Sequence, residues 1–591
     1  MTVFEKIIDS IKNIFGHIFG ILGQILRILT APIFAFVSVI AIGHVIRRTF
    51  PGFWNWLIEK PKVKAFVSTK IFQYYGNVAP ARPHQFTMRK DYTLWDGFVD
   101  RTYTGRHIGP FHHLTGKKRP DINKVIEMFM RPTDAEGKDI QIQDERSSVL
   151  FASFAQWFTD GFLRTSHMLE FDENGNFIED EDGMPRRMPG REKFNDSNHE
   201  IDACQIYGIT PEQTKILRSD DEKGCLKSQM INGEEYPPFL LEEPFKGKHG
   251  KMKVRKEFKD LHPENLLRFI FRKAGGNEGS FENMFALGLE HSNSTIGNVI
   301  YNTLFLREHN RVARLLAQAH PDWDDDRVFD TARNTTTVLL LKIVISDYIR
   351  HISPLRLPLE FQPGLAEKEQ WYRTNRIKIE FNILYRWHGL VPSRYGFLPS
   401  AEPGKDNPTA FLHNNKWIVD TGIGGAITAL SKEPATRMVM GNTPNFLRGV
   451  KIDTMRLVRA SNLAPYNDYR ERFSLPRAKR FEDITDDPKV LAKLKELYPT
   501  VDDVEWYVGM SCEKLDDAML MGRLLFTMVA HDAFTHALTN PLLSNEVFVP
   551  ETFGKIGWET INTTHNLTDM AKRLVPDPES MICAFDYRKA Q

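Results

Sequence analysis

The chain has 591 residues, of which 41% are hydrophobic, a composition typical of globular proteins. Its 77 lysines and arginines balance 76 aspartates and glutamates, so the composition argues against nucleic acid as the main partner. Four cysteines in so long a chain exclude a disulfide scaffold. The length allows about four domains or one large helical enzyme.

The first predicted element is hydrophobic. Residues Ile28–Ile46 carry no charged side chain, and as a helix they would be ~28 Å long, close to the hydrocarbon thickness of a bilayer. Pro32 and Gly43 weaken the case for a spanning helix, and acidic residues near the N-terminus do not fit a signal peptide. We predict that residues 1–49 form a membrane segment; the alternative is a helix packed on the domain.

The second predicted element, residues 50–86, is amphipathic. Tryptophans at 54 and 56 stand beside lysines at 60, 62 and 64. Aromatic rings next to lysines are typical of a helix that lies in the membrane interface. A surface helix docked on the core is the alternative.

Residues 87–591 read as one mainly α-helical domain. Apolar residues recur at helical spacing in seven segments: Val149–Leu163, Leu266–Lys273, Ile296–Ala319, Asp326–Ile352, Arg373–Leu390, Val490–Leu497 and Met519–Leu538. Strand signals are few and short. The acidic, turn-rich residues 171–200 predict an exposed loop.

The most informative chemistry lies between Glu380 and Leu390. Tyr385 and His388 are three residues apart, so on a helix they would share one face, about one turn apart. A histidine so placed can bind haem iron, and a tyrosine one turn away can be oxidised. Two core aromatic residues often show the same spacing, so the pair needs further support.

Four other segments supply that support. They are SVLFASFAQWFTDGFLRTSH at 148–167, NGEEYPP at 232–238, LREHNR at 306–311 and VEWYVGMSCEK at 504–514. Together with Tyr385 and His388 they resemble the prostaglandin endoperoxide synthases (cyclooxygenases), a branch of the animal-type haem peroxidase superfamily. The resemblance runs from about Phe50 to Asn562. It implies a large helical domain that binds haem b, amphipathic membrane-binding helices before it, and a homodimer.

The resemblance also implies roles for single residues. His388 matches the proximal haem ligand, and Tyr385 matches the tyrosine whose radical takes hydrogen from a polyunsaturated fatty acid. Tyr348 matches the hydrogen-bonding neighbour of that tyrosine, and Trp387 keeps its place in the channel. The haem would supply the oxidising equivalent, and a dry channel would protect the radical.

The distal side departs from the family pattern. Gln156 matches the distal glutamine, but Asp160 stands where the family has its distal histidine. Because that histidine moves the peroxide proton, we expect weakened peroxidase turnover while oxygenation persists.

The channel departs as well. The resemblance places six further residues there: Ile349, Leu355, Phe526, Val529, Ala530 and Ala533. Leu355 replaces the entrance tyrosine, and Ala533 replaces the serine that aspirin acetylates. The carboxylate-binding arginine of the family falls at Tyr75–Gly76, which leaves Lys70 and Arg82 as nearby candidates.

These observations predict a haem-dependent dioxygenase that is associated with an intracellular membrane, either monotopic or anchored by its N-terminal segment. It would convert a polyunsaturated fatty acid and O₂ to a prostaglandin endoperoxide. An α- or mid-chain dioxygenase that forms a simple hydroperoxide is the nearest alternative. A peroxidase of small donors and a haem-binding membrane scaffold are the others. Product analysis with haem and arachidonate separates all four.

Overall fold

The computed structural model describes residues 45–79, 86–87, 102–109, 119–165, 194–242, 253–264, 266–267, 283–353, 359–372, 376–398, 410–515 and 519–591, with a few positions between 170 and 188. Nearly all of the predicted helix 266–273 and most of the uncharged stretch 28–46 lie outside these residues, as do Arg82 and Leu355.

The described chain is mainly helical, as predicted. The helices of its first half are α1 (Pro51–Ile58), α2 (Pro61–Gly76), α3 (Ile122–Phe129), α4 (Val149–Asp160), α5 (Cys204–Tyr207), α6 (Pro211–Leu217), α7 (Ile296–Ala319) and α8 (Asp325–Ile343). A π-helical turn, Val344–Ile349, joins α8 to α9 (Arg350–Ile352).

The second half continues in the same way. Its helices are α10 (Ile379–Leu384), α11 (Asn415–Thr421), α12 (Ile423–Lys432), α13 (Arg448–Ala460), α14 (Tyr466–Arg472), α15 (Pro488–Leu497), α16 (Trp506–Cys512), α17 (Arg523–Ala537), α18 (Pro550–Thr563) and α19 (Leu567–Lys572). The predicted helices at 296–319 and 490–497 are confirmed, and the one at 519–538 forms from Arg523 onward.

Strands are short, and in the described residues they form three two-stranded antiparallel sheets. Their bounds are β1 (Phe86–Thr87) with β2 (Gly105–Arg106), β3 (Gln143–Ser148) with β6 (Pro434–Thr436), and β4 (Gln229–Ile231) with β5 (Glu234–Tyr236). The β3–β6 pair matters for the site, because β3 runs directly into α4 and the Thr436 hydroxyl of β6 donates to the Gly389 carbonyl at 2.6 Å.

Helix α7 is the central helix of the domain. The Thr295 side chain caps its N-terminus by accepting from the Asn298 amide at 3.2 Å. The helix is buried on nearly every side through its first five turns, as expected for a core helix. It packs against α4, α8 and α18, so it supports the wall that α4 presents to the site.

Helices α1 and α2, together with Phe50 just before α1, expose aromatic side chains to solvent. Phe50, Phe53, Trp56 and Phe66 are 62%, 46%, 55% and 45% exposed, while Trp54 points inward at 8%. Large apolar groups that gather on one exposed face are typical of an interaction surface. We call these four side chains the aromatic face.

Within the described part of the chain, no helix is both long enough and apolar enough to cross a bilayer.

Candidate functional site

The predicted helix from Arg373 to Leu390 is wrong in its last turn. Helix α10 ends at Leu384, and His388 opens a separate 3₁₀ turn. The Trp387 indole donates to the Leu384 carbonyl at 2.7 Å. In a continued helix that carbonyl would accept the amide of His388. The side chain of Trp387 therefore stops the helix, and Tyr385 and His388 do not share one helical face.

Tyr385 lies in a stack of aromatic rings. Its ring centroid is 4.6 Å from that of Trp387 at an interplanar angle of 23°. The Trp387 ring also lies near Tyr348, with centroids 6.5 Å apart. The predicted tyrosine, its predicted neighbour and the predicted channel tryptophan are thus brought together.

The hydroxyls of both tyrosines are buried, and neither has a hydrogen-bond partner of good geometry among the described residues. Burial raises the pKa of Tyr385 and of Tyr348 well above the ordinary value of a phenol. The interaction between the two hydroxyls adds to the shift of Tyr348 and partly offsets the shift of Tyr385. Both groups are therefore neutral phenols at any physiological pH. A phenol kept neutral and dry can lose a hydrogen atom without competition from water.

The π-helical turn Val344–Ile349 carries Tyr348 into this stack. Single π turns inside helices occur frequently at functional sites, because the extra residue redirects the side chains. Tyr348 is fully buried, and the rings of Phe151, Phe154 and Phe158 from α4 lie 5.4–5.9 Å from it. Ile349, predicted in the channel, is also buried. The turn thus connects the tyrosine pair to helix α4.

His388 has a neutral imidazole that could bind a metal ion. Its ring is partly exposed, and its buried Nδ1 atom has no hydrogen-bond partner in the described structure. Burial, together with the positive charges of Lys451 and Arg386, holds the pKa of His388 well below its ordinary value. The imidazole is therefore neutral and offers a lone pair, the form that binds haem iron.

Helix α4 presents a polar, accessible face in an otherwise buried region. Ala152, Gln156 and Asp160 follow at four-residue spacing, so they line one face. Gln156 is exposed and Asp160 is partly exposed, while most other positions of α4 are buried. The predicted distal pair therefore does face accessible space. This open face and the unpartnered His388 fit a bound haem.

Asp160 contacts two side chains, Asn298 and His291, that no sequence pattern indicated. Asn298 donates to its Oδ2 at 3.2 Å. His291 Nε2 lies 3.5 Å from the same oxygen as an ion pair. On its other side, His291 Nδ1 lies 3.1 Å from Glu290 Oε1. His291 precedes α7 in a segment without clear periodicity, so no pattern marked it.

The predicted channel residues of α17 share one face. Phe526, Val529, Ala530 and Ala533 follow at i, i+3, i+4 and i+7, and all four are buried. Helix α17 packs against α10, which leads into Tyr385, and against α2. The Tyr75 ring of α2 meets Phe526 at 5.5 Å. These contacts place an apolar helix face between α2 and the tyrosine stack.

The predicted carboxylate anchors receive little support. Lys70 lies over the Phe66 ring at 5.8 Å and donates to Gln73 Oε1 at 3.4 Å. Arg523 is a candidate that sequence reasoning missed. It is exposed at the start of α17 and makes no ion pair with any residue that the structure describes. Burial raises the pKa of Tyr75, and the charge of Arg523 partly offsets the shift, so the two residues are near neighbours.

Comparison with known proteins gives consistent results. The profile described as Animal haem peroxidase matches residues 174–539. Prostaglandin G/H synthase 2 of Gallus gallus is 31% identical over 539 residues, which cover 88% of this chain and 78% of the relative. Prostaglandin G/H synthase 1 of Mus musculus is 28% identical over 523 residues, with 87% and 77% covered.

Similar solved structures show the same fold. Fatty acid alpha-dioxygenase of Oryza sativa, in a structure with palmitic acid, has a TM-score of 0.63 at 16% identity and covers 95% of this chain and 98% of that one. Peroxidase A of Dictyostelium discoideum has a TM-score of 0.59 at 18% identity, with 86% and 99% covered. The profile match spans more than half of the chain, and haem is the cofactor that it implies. The chain therefore belongs to the animal haem peroxidase family and is an oxidoreductase.

Proposed function

We propose that this protein is a fatty acid dioxygenase of the cyclooxygenase type that uses haem b. One observation carries the proposal: the neutral, buried phenol of Tyr385 is stacked on Trp387 next to Tyr348, three residues before the free imidazole of His388. The names of the prostaglandin synthase relatives support the same reaction.

The residues present fit the cofactor. His388 would bind the iron through its neutral imidazole, and the open face of α4 would offer Gln156 and Asp160 to a peroxide. When bound and oxidised by a peroxide, haem supplies the oxidising equivalent that removes an electron from the phenol of Tyr385. Because the Tyr385 hydroxyl is buried, its proton has no direct access to bulk water.

The tyrosyl oxygen then takes a hydrogen atom from a bis-allylic carbon of a polyunsaturated fatty acid. The O–H bond of Tyr385 re-forms as the C–H bond breaks, and the carbon radical adds O₂. The buried face of α17 would hold the acyl chain against this oxygen through Phe526, Val529, Ala530 and Ala533, with Ile349 nearby. A substrate held in such a dry channel is positioned for reaction at one carbon.

Arg523 would bind the carboxylate of the substrate. It lies at the open end of the α17 face, one turn before Phe526, and its charge reaches Tyr75. Arg523 would thus replace the carboxylate-binding arginine that the resemblance places at Tyr75–Gly76.

The departure at Tyr75–Gly76 also keeps an α- or mid-chain dioxygenase as the second candidate. A different anchor would shift the acyl chain along the channel and change the carbon that reacts. The name of the Oryza sativa structural neighbour is consistent with this alternative.

We further propose that residues 50–86 lie on an intracellular membrane, through the aromatic face of α1 and α2, after an N-terminal membrane segment at 1–49. Residues 87–591 would form the catalytic domain of a homodimer. Lys60 lies 4.3 Å above the Trp56 ring, and lysines beside aromatic rings suit a lipid headgroup boundary. A membrane position would give the substrate a path from the bilayer to the α17 face.

We also propose weakened peroxidase turnover while oxygenation persists, because helix α4 itself supplies a carboxylate rather than an imidazole at position 160.

The test is product analysis. Purified protein is loaded with haem b and incubated with arachidonate under ¹⁸O₂, and products are separated by mass spectrometry. An endoperoxide with two labelled oxygen molecules supports the cyclooxygenase type, and a single labelled hydroperoxide supports the second candidate. No labelled product from any polyunsaturated acid would refute both.

A further inference from the structure

We propose that His291, paired with Asp160, is the proton donor of the distal side and performs the acid–base task that the resemblance assigns to a histidine at position 160. This inference rests on the proposed haem site. It concerns a residue from the segment before α7 rather than from the distal helix α4.

The His291 imidazole lies beside Asp160, at the edge of the open face of α4. His291 Nε2 lies 3.5 Å from Asp160 Oδ2, and the two side chains are 26% and 25% exposed. Asp160 is one helical turn beyond the exposed Gln156. A peroxide that reaches Gln156 would therefore meet both members of the pair on the same accessible face.

The Nδ1 side of the His291 ring contacts a buried ion pair between Arg164 and Glu290. Glu290 Oε1 lies 3.1 Å from His291 Nδ1 and accepts from Arg164 Nη2 at 2.6 Å. Arg164 and Glu290 are 5% and 8% exposed, so this ion pair is buried. Arg164 Nη1 is 3.2 Å from His291 Nδ1, and the shared Glu290 carboxylate holds the two cations together. With Nδ1 turned to Glu290, Nε2 is left to face Asp160.

The charges around the ring favour the protonated form. Burial opposes an imidazolium, but the charges and hydrogen bonds of the carboxylates Asp160 and Glu290 outweigh it and raise the pKa of His291 to about 9. His262, also close, has its pKa lowered by burial to about 4 and stays neutral. His291 thus carries a donatable proton at neutral pH and loses it as the pH rises through about 9.

The pair moves one proton within the peroxide, and the reducing donor supplies the other two. Reduction of a hydroperoxide ROOH to ROH and water takes up two electrons and two protons. Two phenol molecules would give both as they are oxidised to phenoxyl radicals, with the electrons passing by way of the haem. As the O–O bond breaks, the Asp160 carboxylate accepts the proton of the O–H group, and the Nε2–H of His291 delivers a proton to the RO oxygen, which leaves as ROH. Transfer of one proton from Asp160 to His291 restores the pair, and the two protons from the phenols complete the water molecule.

The first experiment needs no haem. The full chain is labelled with ¹³C-histidine, and the ring resonance of His291 is identified by its loss in His291→Gln. We expect a titration midpoint near pH 9 that falls toward the ordinary value of about 6.5 in Asp160→Asn. A midpoint near 6.5 in both proteins would overturn the pairing.

The second experiment uses haem-loaded protein and two readouts. Cyanide affinity, followed by absorbance, should fall about 10–100-fold in His291→Gln, the effect of one charged hydrogen bond. The rate of reaction with a hydroperoxide should fall by ~10²–10⁴-fold. Asp160→Asn should lower both, and the double variant should add little because the pair acts as a unit. The exposed His565→Gln is the matched control.

A rescue distinguishes chemistry from loss of structure. Asp160→His in the His291→Gln protein should restore much of the peroxide rate, because it returns an imidazole to the same wall. An unchanged peroxide rate in His291→Gln would overturn the inference. No step of these assays uses a fatty acid, so they give their answer even where oxygenation of arachidonate fails and the proposed function is lost.

Discussion

Replacement of Tyr385 by phenylalanine separates chemistry from stability in this protein. The change removes one buried oxygen atom from a partly buried ring and leaves the stack on Trp387 in place. If Tyr385 carries the radical, O₂ uptake with a polyunsaturated fatty acid should fall to the background of haem alone, because phenylalanine has no O–H bond to give up.

The loss of this hydroxyl should not lower the free energy of unfolding. The Tyr385 hydroxyl is buried without a partner of good geometry, and such a group costs about 1–3 kcal/mol to leave unsatisfied. Its removal should leave stability unchanged or raise it by up to about that amount. The matched control is Tyr301→Phe, whose hydroxyl donates to the buried Leu150 carbonyl at 2.8 Å. That variant should lose about 1–3 kcal/mol and keep its O₂ uptake.

The assay pairs an oxygen electrode with urea unfolding, at equal haem occupancy. We expect opposite outcomes for the two variants: Tyr385→Phe should be stable and inactive, and Tyr301→Phe should be less stable and active. Retention of most O₂ uptake by Tyr385→Phe would refute the role of this residue. A large stability loss in Tyr385→Phe would refute the conclusion that its hydroxyl lacks a hydrogen bond of good geometry.

Four further outcomes are expected. His388→Ala should lose the absorbance of ligated haem while its far-UV circular dichroism stays unchanged. Phe53→Ser with Trp56→Ser removes roughly 100 Å² of exposed aromatic surface at each position. At ~25 cal/mol per Å², even partial immersion predicts at least about 10-fold weaker sedimentation with liposomes. Aspirin should not inactivate the enzyme through position 533, since Ala533 has no hydroxyl. Arg523→Ala should raise the KM for a fatty acid about 2–5-fold, the range of an exposed ion pair, with kcat little changed.

Each of these has a control in the chain. His565→Gln changes an exposed histidine and should keep the haem spectrum. Met230→Ser removes an apolar side chain that is 67% exposed outside the aromatic face, so liposome binding should persist. Ala533→Ser should create sensitivity to aspirin, and Arg480→Ala, at a guanidinium that is 73% exposed, should leave KM as it is. If His565→Gln, Met230→Ser or Arg480→Ala showed the same loss as its test variant, the effect would come from general destabilisation.

The sequence predicted those parts of the fold that depend on regular periodicity. Helix α7 has the predicted bounds, Ile296–Ala319, because its apolar residues repeat without interruption and Thr295 caps it. The turn at Tyr385 was not predicted, because a tertiary detail decides it. The Trp387 indole competes for a backbone carbonyl, and no spacing rule anticipates which way an indole points.

The distal site was predicted in part for a similar reason. Gln156 and Asp160 belong to one helix, so their spacing placed them on one face. His291 and Arg523 come from other segments of the chain, and only the packing of α4 against α7, and of α17 against α2, brings them to the site. The roles of all these residues remain predictions.

The contact between α4 and α7 ties the packing of the core to the position of the distal residues. A Cβ atom at Gly297 would lie 2.4 Å from the Ser153 Cβ, so the two helices cross as closely as their backbones allow. Ser153 stands three residues before Gln156 on α4. A single methyl group in Gly297→Ala would therefore push α4 away from α7 and carry Gln156 and Asp160 with it. The position of the open face of α4 is set by a residue that has no side chain.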